Sequence, residues 1–200
     1  MQSNRADSLL GLAVETLREP KKCLRIVLDI VITMPELLQA AALVVSLSMI
    51  LPLVALIMQP SDVQNAMMGF SVNPLFAILI QMIILIGAAA MITGIGRVFN
   101  GYGTFKEALT AMVWLQFILI GIQFLQFSLG LLSPQLSAVI FILSMVILIY
   151  LVVNFIMEIH GFTNTGAVIF GVVGSFFGIV LMIAMLLIAI GITPEAIQNV

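Results

Sequence analysis

The stretch RVFNGYGTFKE, at residues 97–107, decides the fold because it is a polar interruption between two long apolar segments. It contains Arg97 and Lys106, which are the only lysine or arginine residues after position 25. If the apolar segments cross a membrane, the side on which this loop lies determines the side of every other connection. The loop is therefore the reference point for the rest of the chain.

The composition predicts an integral membrane protein built from helices. Of the 200 residues, 62% are hydrophobic and 8% are charged, whereas a soluble domain is roughly half apolar and about a quarter charged. A soluble fold of this length could not bury so much apolar surface, so part of the surrounding solvent must be lipid. The single cysteine, Cys23, excludes an internal disulfide and a cysteine metal cluster.

Five apolar segments extend outward from the loop, and each has about twenty or more residues, enough to cross a ~30 Å hydrocarbon core. The predicted spans are 35–58, 74–95, 105–131, 134–157 and 166–192. A segment of residues 1–34 precedes them, and a tail of residues 193–200 follows.

Local capping signals mark the start of most of these spans. Thr33 with Glu36, and Thr104 with Glu107, have the spacing of a capping box. Asn73-Pro74 and Ser133-Pro134 each combine a capping residue with proline at the first helical position. The very short connection at Ser133 also predicts a tight hairpin between the third and fourth spans.

Residues 1–34 read as two amphipathic helical pieces separated by Pro20. The segment is too charged to span and too apolar to remain in water, so we expect it to lie in the membrane interface. Lys21, Lys22 and Arg25 fall within one turn and are predicted to contact anionic lipid headgroups. The alternative is a segment packed on the protein's own cytosolic loops.

The distribution of charge predicts the orientation. With five spans, all seven basic residues fall on one side of the membrane. The positive-inside rule then places the N-terminus and residues 97–107 in the cytoplasm and the C-terminus on the opposite side. Arg97 and Lys106 would accordingly meet lipid headgroups as well.

Polar side chains inside the predicted spans are few. Gln116, Gln123 and Gln126 lie within an arc of about 80° on one helix, and Glu158 continues a face that includes Asn154. Interhelical hydrogen bonds are the expected use of the amides, and a water-filled path is the alternative. Glu158 is either an intramembrane functional carboxylate or, as we favour, a headgroup-level helix end. The candidate intramembrane polar residues are Gln81, Gln116, Gln123, Gln126, Asn154 and Glu158.

Small residues on two spans predict close helix packing, either within one chain or between two copies. The predicted packing glycines are Gly87, Gly94, Gly171, Gly174 and Gly178.

No catalytic, cofactor-binding or metal-ligating pattern is visible in the sequence. The chain has one histidine and one cysteine, and it contains no phosphate-binding loop. The scarcity of basic residues also argues against nucleic-acid binding.

Three short motifs stand out along the chain. They are Glu19-Pro20 in a compact N-terminal segment, GYGTFKE at residues 101–107 after the second span, and HGFTNT at residues 160–165 before the last span. Together with the five spans, they resemble the Yip family of Ypt/Rab-interacting multi-pass membrane proteins, in its short bacterial form. The resemblance extends over about residues 15–192. It implies a non-enzymatic integral membrane protein, which for a bacterial form would lie in the inner membrane. Eukaryotic relatives are linked to small GTPases through an acidic-aromatic motif that this chain lacks.

The function predicted from these features is that of a scaffold, membrane-organising protein or accessory subunit of a larger membrane complex. Its expected partners are membrane lipids and either another membrane protein or a second copy of the chain. The alternative is a small transporter or channel that uses the polar residues of the third and fourth spans.

Overall fold

The computed structural model describes residues 8–58 and 74–189, and the regular structure in those ranges is helical. The helices are α1 (Leu9–Thr16), α2 (Pro20–Leu28), α3 (Met34–Ile57), α4 (Pro74–Val98), α5 (Phe105–Leu132), α6 (Pro134–His160) and α7 (Thr165–Ala189). Among the described residues, α3, α4, α5 and α6 are long and apolar enough to cross a membrane. The predicted Asn73 cap, residues 190–192 of the last predicted span and the tail 193–200 lie outside the described residues.

The ends of α3–α6 differ from the corresponding predicted spans by three residues at most. α4 continues from the predicted end at residue 95 to Val98, and α6 continues from residue 157 to His160. Each extension contains one charged residue, Arg97 or Glu158, which the predicted spans exclude although the backbone remains helical. α7 has 25 residues and belongs to a second compact unit, separate from the one formed by α1–α6.

Both predicted capping boxes are confirmed. At α3 the Thr33 hydroxyl accepts from the Glu36 amide at 3.5 Å, and the Glu36 carboxylate accepts from the Thr33 amide at 2.7 Å. Thr104 and Glu107 make the same pair of bonds at α5. Each box satisfies two backbone donors that the first turn of a helix leaves without partners.

The cap predicted at Ser133 differs in its chemistry. Pro134 does occupy the first turn of α6, but the Ser133 side chain makes no capping bond to the backbone. Its hydroxyl donates instead to Oε1 of Gln135 at 2.7 Å. The α5–α6 hairpin is therefore started by proline geometry, without help from the serine hydroxyl.

Helix α5 lies at the centre of the packing and contacts α3, α4 and α6. Its buried residues are concentrated in the first half, where Ala108, Leu109 and Ala111 are fully enclosed. The outward faces of its neighbours remain apolar and exposed, as Leu43 on α3 and Ile142 on α6 illustrate. Exposed apolar side chains of this kind are expected where lipid is the solvent.

The two N-terminal helices pack against the membrane helices. α2 contacts α5 and α6, and its Cys23 and Leu24 have no exposed surface. α1 contributes buried Leu12 and Thr16, while its Leu10 remains 72% exposed. One face of this segment is thus held by protein, and its location in the membrane interface stays a prediction.

The burial of Cys23 gives a direct test of this packing. Burial raises the pKa of its thiol, and because the thiolate is the nucleophile, a raised pKa lowers the reaction rate at neutral pH. We expect slow labelling of the folded protein by N-ethylmaleimide at pH 7, a rate that rises toward alkaline pH, and fast labelling in denaturing detergent.

The matched control is Val31→Cys in a Cys23→Ala background, because Val31 is 99% exposed. It should label quickly without denaturation. If Cys23 in the folded protein reacts as fast as this control, α2 is not packed as described.

Candidate functional site

A buried histidine joins the ends of three chain segments at one end of the helix bundle. His160, the last residue of α6, is 1% exposed. The Gly103 amide donates to its Nδ1 at 3.2 Å, and its Nε2 lies 3.1 Å from the Ile92 carbonyl oxygen. Because an amide N–H can only donate, Nδ1 carries no proton, and Nε2 is the donor to Ile92. The neutral ring is satisfied on both sides by backbone groups.

Three glycines make room for this imidazole. A Cβ at Gly96 or Gly101 would overlap the His160 ring, and a Cβ at Gly103 would lie 2.6 Å from its Cε1 atom. Real Cβ atoms do not approach other heavy atoms so closely, so only glycine fits while the ring stays in place. We call His160, Gly96, Gly101, Gly103 and the Ile92 carbonyl the histidine cluster.

The ends of α4 and α6 have the backbone geometry that this cluster needs. Asn100 has a φ of 60°, and the Gly101 amide donates back to the Gly96 carbonyl at 2.8 Å. This is the Schellman ending, with asparagine in the left-handed position. α6 ends in the same way at Gly161, where φ is 70°. Both helices therefore turn sharply beside the imidazole instead of continuing past it.

An ion pair attaches α2 to the same end of α6. The Arg25 Nε donates to Oε1 of Glu158. The Glu158 side chain is 11% exposed and the Arg25 side chain is 73% exposed. A carboxylate so poorly hydrated needs a charged partner, and α2 supplies one from a position 133 residues away in the sequence.

A second polar contact attaches α1 to the centre of the bundle. The Trp114 indole N–H on α5 donates to the Thr16 hydroxyl oxygen at 3.2 Å. The Thr16 hydroxyl in turn donates to the Leu12 carbonyl at 2.7 Å. Both side chains are buried, and this arrangement satisfies the indole donor, as a buried tryptophan requires.

The predicted headgroup-contacting residues have different surroundings. Arg25 pairs with Glu158, and Lys22 pairs with Glu19 at 2.8 Å and with Glu15 at 3.6 Å. The hydrogen bond from Lys22 to Glu19 raises the pKa of the lysine. Lys21 is half-buried, whereas Arg97 and Lys106 are exposed. Their contact with lipid stays a prediction.

The predicted intramembrane polar residues do not assemble into one site. Asn154 donates to the Tyr150 carbonyl of its own helix at 2.8 Å. Oε1 of Gln123 is buried and has no hydrogen-bond partner. Within residues 8–58 and 74–189, no side-chain hydrogen bond joins Gln81, Gln116 or Gln126 to another helix. The interhelical bonds expected of these amides are thus not observed there.

The predicted packing glycines also lack close neighbours within α1–α6. A Cβ at Gly87 or Gly94 would meet no atom within 4 Å. Gly171, Gly174 and Gly178 lie on α7, whose packing partners stay a prediction. The glycine that makes close contact in α4 is Gly96, which the small-residue pattern did not single out.

Sequence patterns gave His160 no role beyond the motif at residues 160–165, and they indicated neither Gly96 nor the partner of Glu158. Glu158 lies two residues before the end of α6 at His160, and its carboxylate is paired with Arg25; its position at the headgroup level stays a prediction. A usable signal was present, since the chain's only histidine ends the second span after the glycine-rich loop. The close approach itself depends on tertiary structure and could not be derived from spacing.

Gly96 and Gly94 form a matched pair for testing the histidine cluster. Gly96→Ala should destabilise the protein by about 1–3 kcal/mol, because the new methyl group overlaps the imidazole. Gly94→Ala, in the same helix but facing open space, should be neutral or slightly stabilising. The measurement is denaturation in a titration of sodium dodecyl sulfate. Equal effects of the two substitutions would contradict the cluster.

Arg25 and Lys21 form a second matched pair. Arg25→Gln leaves the poorly hydrated Glu158 carboxylate without its partner, and we expect α2 to detach more often. A loss of about 1 kcal/mol corresponds to roughly fivefold faster cleavage near Pro20 by proteinase K. Lys21→Gln should leave the rate unchanged. Both rates are measured in vesicles of uncharged lipid, so that headgroup attraction does not contribute.

This assignment is wrong if the Arg25→Gln variant and the parent are cleaved at the same rate in uncharged vesicles, while both variants are cleaved faster than the parent in anionic vesicles. That pattern would mean that lipid charge, and not Glu158, holds α2.

Comparison with known proteins identifies the family. A family model described as the Yip1 domain matches residues 15–191. No curated protein and no solved structure matches the chain. The matched range includes the ion pair, the histidine cluster and the four candidate spans. The chain therefore belongs to the Yip1 domain family and is a multi-pass membrane protein.

Proposed function

We propose that this protein is a non-enzymatic scaffold or accessory subunit that organises a larger membrane assembly through its spans and N-terminal helices. The observation that supports this role is that the residues most able to do chemistry are buried or bonded within the protein. The only histidine has both ring nitrogens bonded to backbone, the only cysteine is buried, and Glu158 is paired with Arg25. The histidine and Glu158 each join separate parts of the chain, and the cysteine has no exposed surface.

The outward surface gives such a scaffold its binding area. α3, α4 and α6 present exposed apolar side chains, among them Leu43, Ile83 and Ile142. Either lipid or the spans of a partner protein can cover these faces. A rigid bundle presents them in a fixed arrangement, which reduces the entropy lost when a partner binds.

The proposal includes five spans with a cytoplasmic N-terminus. α7 has 25 residues, which at 1.5 Å per residue is about 37 Å and is enough to cross a ~30 Å core. The seven basic residues then lie on one side, as the positive-inside rule requires of the cytoplasmic side. The contacts of α1 and α2 with α5 and α6 support the proximity of the N-terminal segment to the loop at residues 97–107.

Reporter fusions test this orientation. A reporter that is active only in the cytoplasm should work when fused after Tyr102, an exposed position in the loop, and should be silent when fused after Val200. Activity at Val200 would mean an even number of spans and would remove the fifth one.

The scaffold role itself is tested by purification in mild detergent followed by identification of the proteins that accompany the chain. We expect a membrane protein in a fixed ratio to this chain. The Arg25→Gln variant should lose part of that partner if the N-terminal helices contribute to the interface.

A competing outcome would favour a transporter or channel. Gln123, with its unpartnered oxygen, is the residue to vary. If the purified chain has no protein partner, and reconstituted vesicles show a solute flux that Gln123→Leu abolishes without loss of thermal stability, the scaffold proposal is wrong.

A further inference from the structure

An apolar groove lies between α3, α5 and the N-terminal segment. Its volume is about 200 Å³, and its lining includes Ile30, Ala40, Thr110, Trp114 and Phe117. The lining has two side chains with a hydrogen-bond donor, and both donors are satisfied. The Thr110 hydroxyl donates to the Lys106 carbonyl at 2.8 Å, and the Trp114 indole N–H donates to the Thr16 hydroxyl at 3.2 Å. The groove thus offers water no free donor. Apolar cavities of roughly 150 Å³ stay dry and accept apolar guests.

The groove lies close to the starts of both membrane helices. Ala40 is six residues into α3 and Thr110 is five residues into α5, which corresponds to about 7–9 Å along the helix axes at 1.5 Å per residue. In a membrane-spanning arrangement that depth is near the boundary between headgroups and acyl chains, about 5–10 Å below the surface. The chain of a lipid would begin at this level.

Two opposite charges lie one helical turn above the groove. Lys106 precedes Thr110 by four residues on α5, and Glu36 precedes Ala40 by four residues on α3, so each charge lies on the same helix face as a lining residue. Both side chains are exposed. The end of the groove nearest the starts of α3 and α5 therefore has one anion on α3 and one cation on α5.

We propose that the groove binds one acyl chain of a zwitterionic phospholipid, with its phosphate at Lys106 and its ammonium group at Glu36. The apolar lining accommodates the acyl chain. The two opposite charges favour a headgroup that carries both a positive and a negative charge over one that is purely anionic. The scaffold role does not require a bound lipid, so this site goes beyond the proposed function and can fail independently of it.

Trp114 provides the readout because it lines the groove and is the only tryptophan in the chain. Bromine atoms on an acyl chain quench tryptophan fluorescence on contact. Trp114 is 7% exposed, so surrounding bilayer lipid has little access to its ring. In vesicles containing phosphatidylethanolamine brominated on one chain, we expect strong quenching of the parent protein.

Ala40→Phe fills the groove and should remove most of that quenching. The matched control is Leu43→Phe, which adds bulk on the same helix at a side chain that is 61% exposed and outside the groove. The fluorescence of this control should be quenched as strongly as that of the parent. Equal quenching of the Ala40→Phe variant and the parent would show that bilayer lipid, and not a bound chain, reaches Trp114, and the site would be rejected.

The headgroup is tested by comparing brominated phosphatidylethanolamine with brominated phosphatidylglycerol at equal mole fraction. The parent should be quenched more by the zwitterionic lipid. Glu36→Gln should reduce that difference, because the ammonium group loses its partner, whereas Lys106→Gln should weaken quenching by both lipids, because both carry a phosphate. Glutamine can still complete a capping box, so Glu36→Gln should fold. If both lipids quench the parent equally, the headgroup assignment is wrong. If Ala40→Phe does not fold, the two charge variants test the lipid site in its place.

Discussion

The structure of the α1–α6 unit depends on burying one neutral imidazole with both of its nitrogens bonded to backbone. A polar group removed from water without partners costs several kcal/mol, so a ring that is 1% exposed needs a donor and an acceptor at fixed positions. Gly103 supplies the donor and Ile92 supplies the acceptor. This requirement fixes the path of the chain from the end of α4 to the start of α5 relative to the end of α6.

The other contacts at this end of the unit follow from that arrangement. Glu158 lies two residues before His160, so the bond to the loop also positions the carboxylate that pairs with Arg25. Trp114, in the buried first half of α5, holds Thr16 of the N-terminal segment. The N-terminal helices are thereby joined to the membrane helices by the Arg25–Glu158 ion pair and by the hydrogen bond from the Trp114 indole to Thr16. A bundle fixed in this way can present constant apolar faces to lipid and to a partner.

The sequence was sufficient to predict the helical class, the capping boxes and four of the five predicted spans. These features depend on composition and on residues three or four positions apart, as with Thr33 and Glu36. Pairs distant in sequence were not predictable in this way. Gly103 and His160 are 57 residues apart, and Arg25 and Glu158 are 133 apart, so no local pattern connects them. Gly96 was missed for the same reason, since its function is visible only when the imidazole is beside it.

The central claim is that His160 is held as a neutral ring between Gly103 and Ile92, and nitrogen NMR of the histidine tests it most directly. The chain contains one histidine, so a sample labelled with ¹⁵N-histidine gives one pair of ring signals. At neutral pH we predict a single tautomer with the proton on Nε2 and a hydrogen-bonded, unprotonated Nδ1. In the Gly96→Ala variant this signature should weaken as the ring is displaced. A proton on Nδ1 in the parent, or the averaged signals of a ring exchanging with water, would contradict the claim.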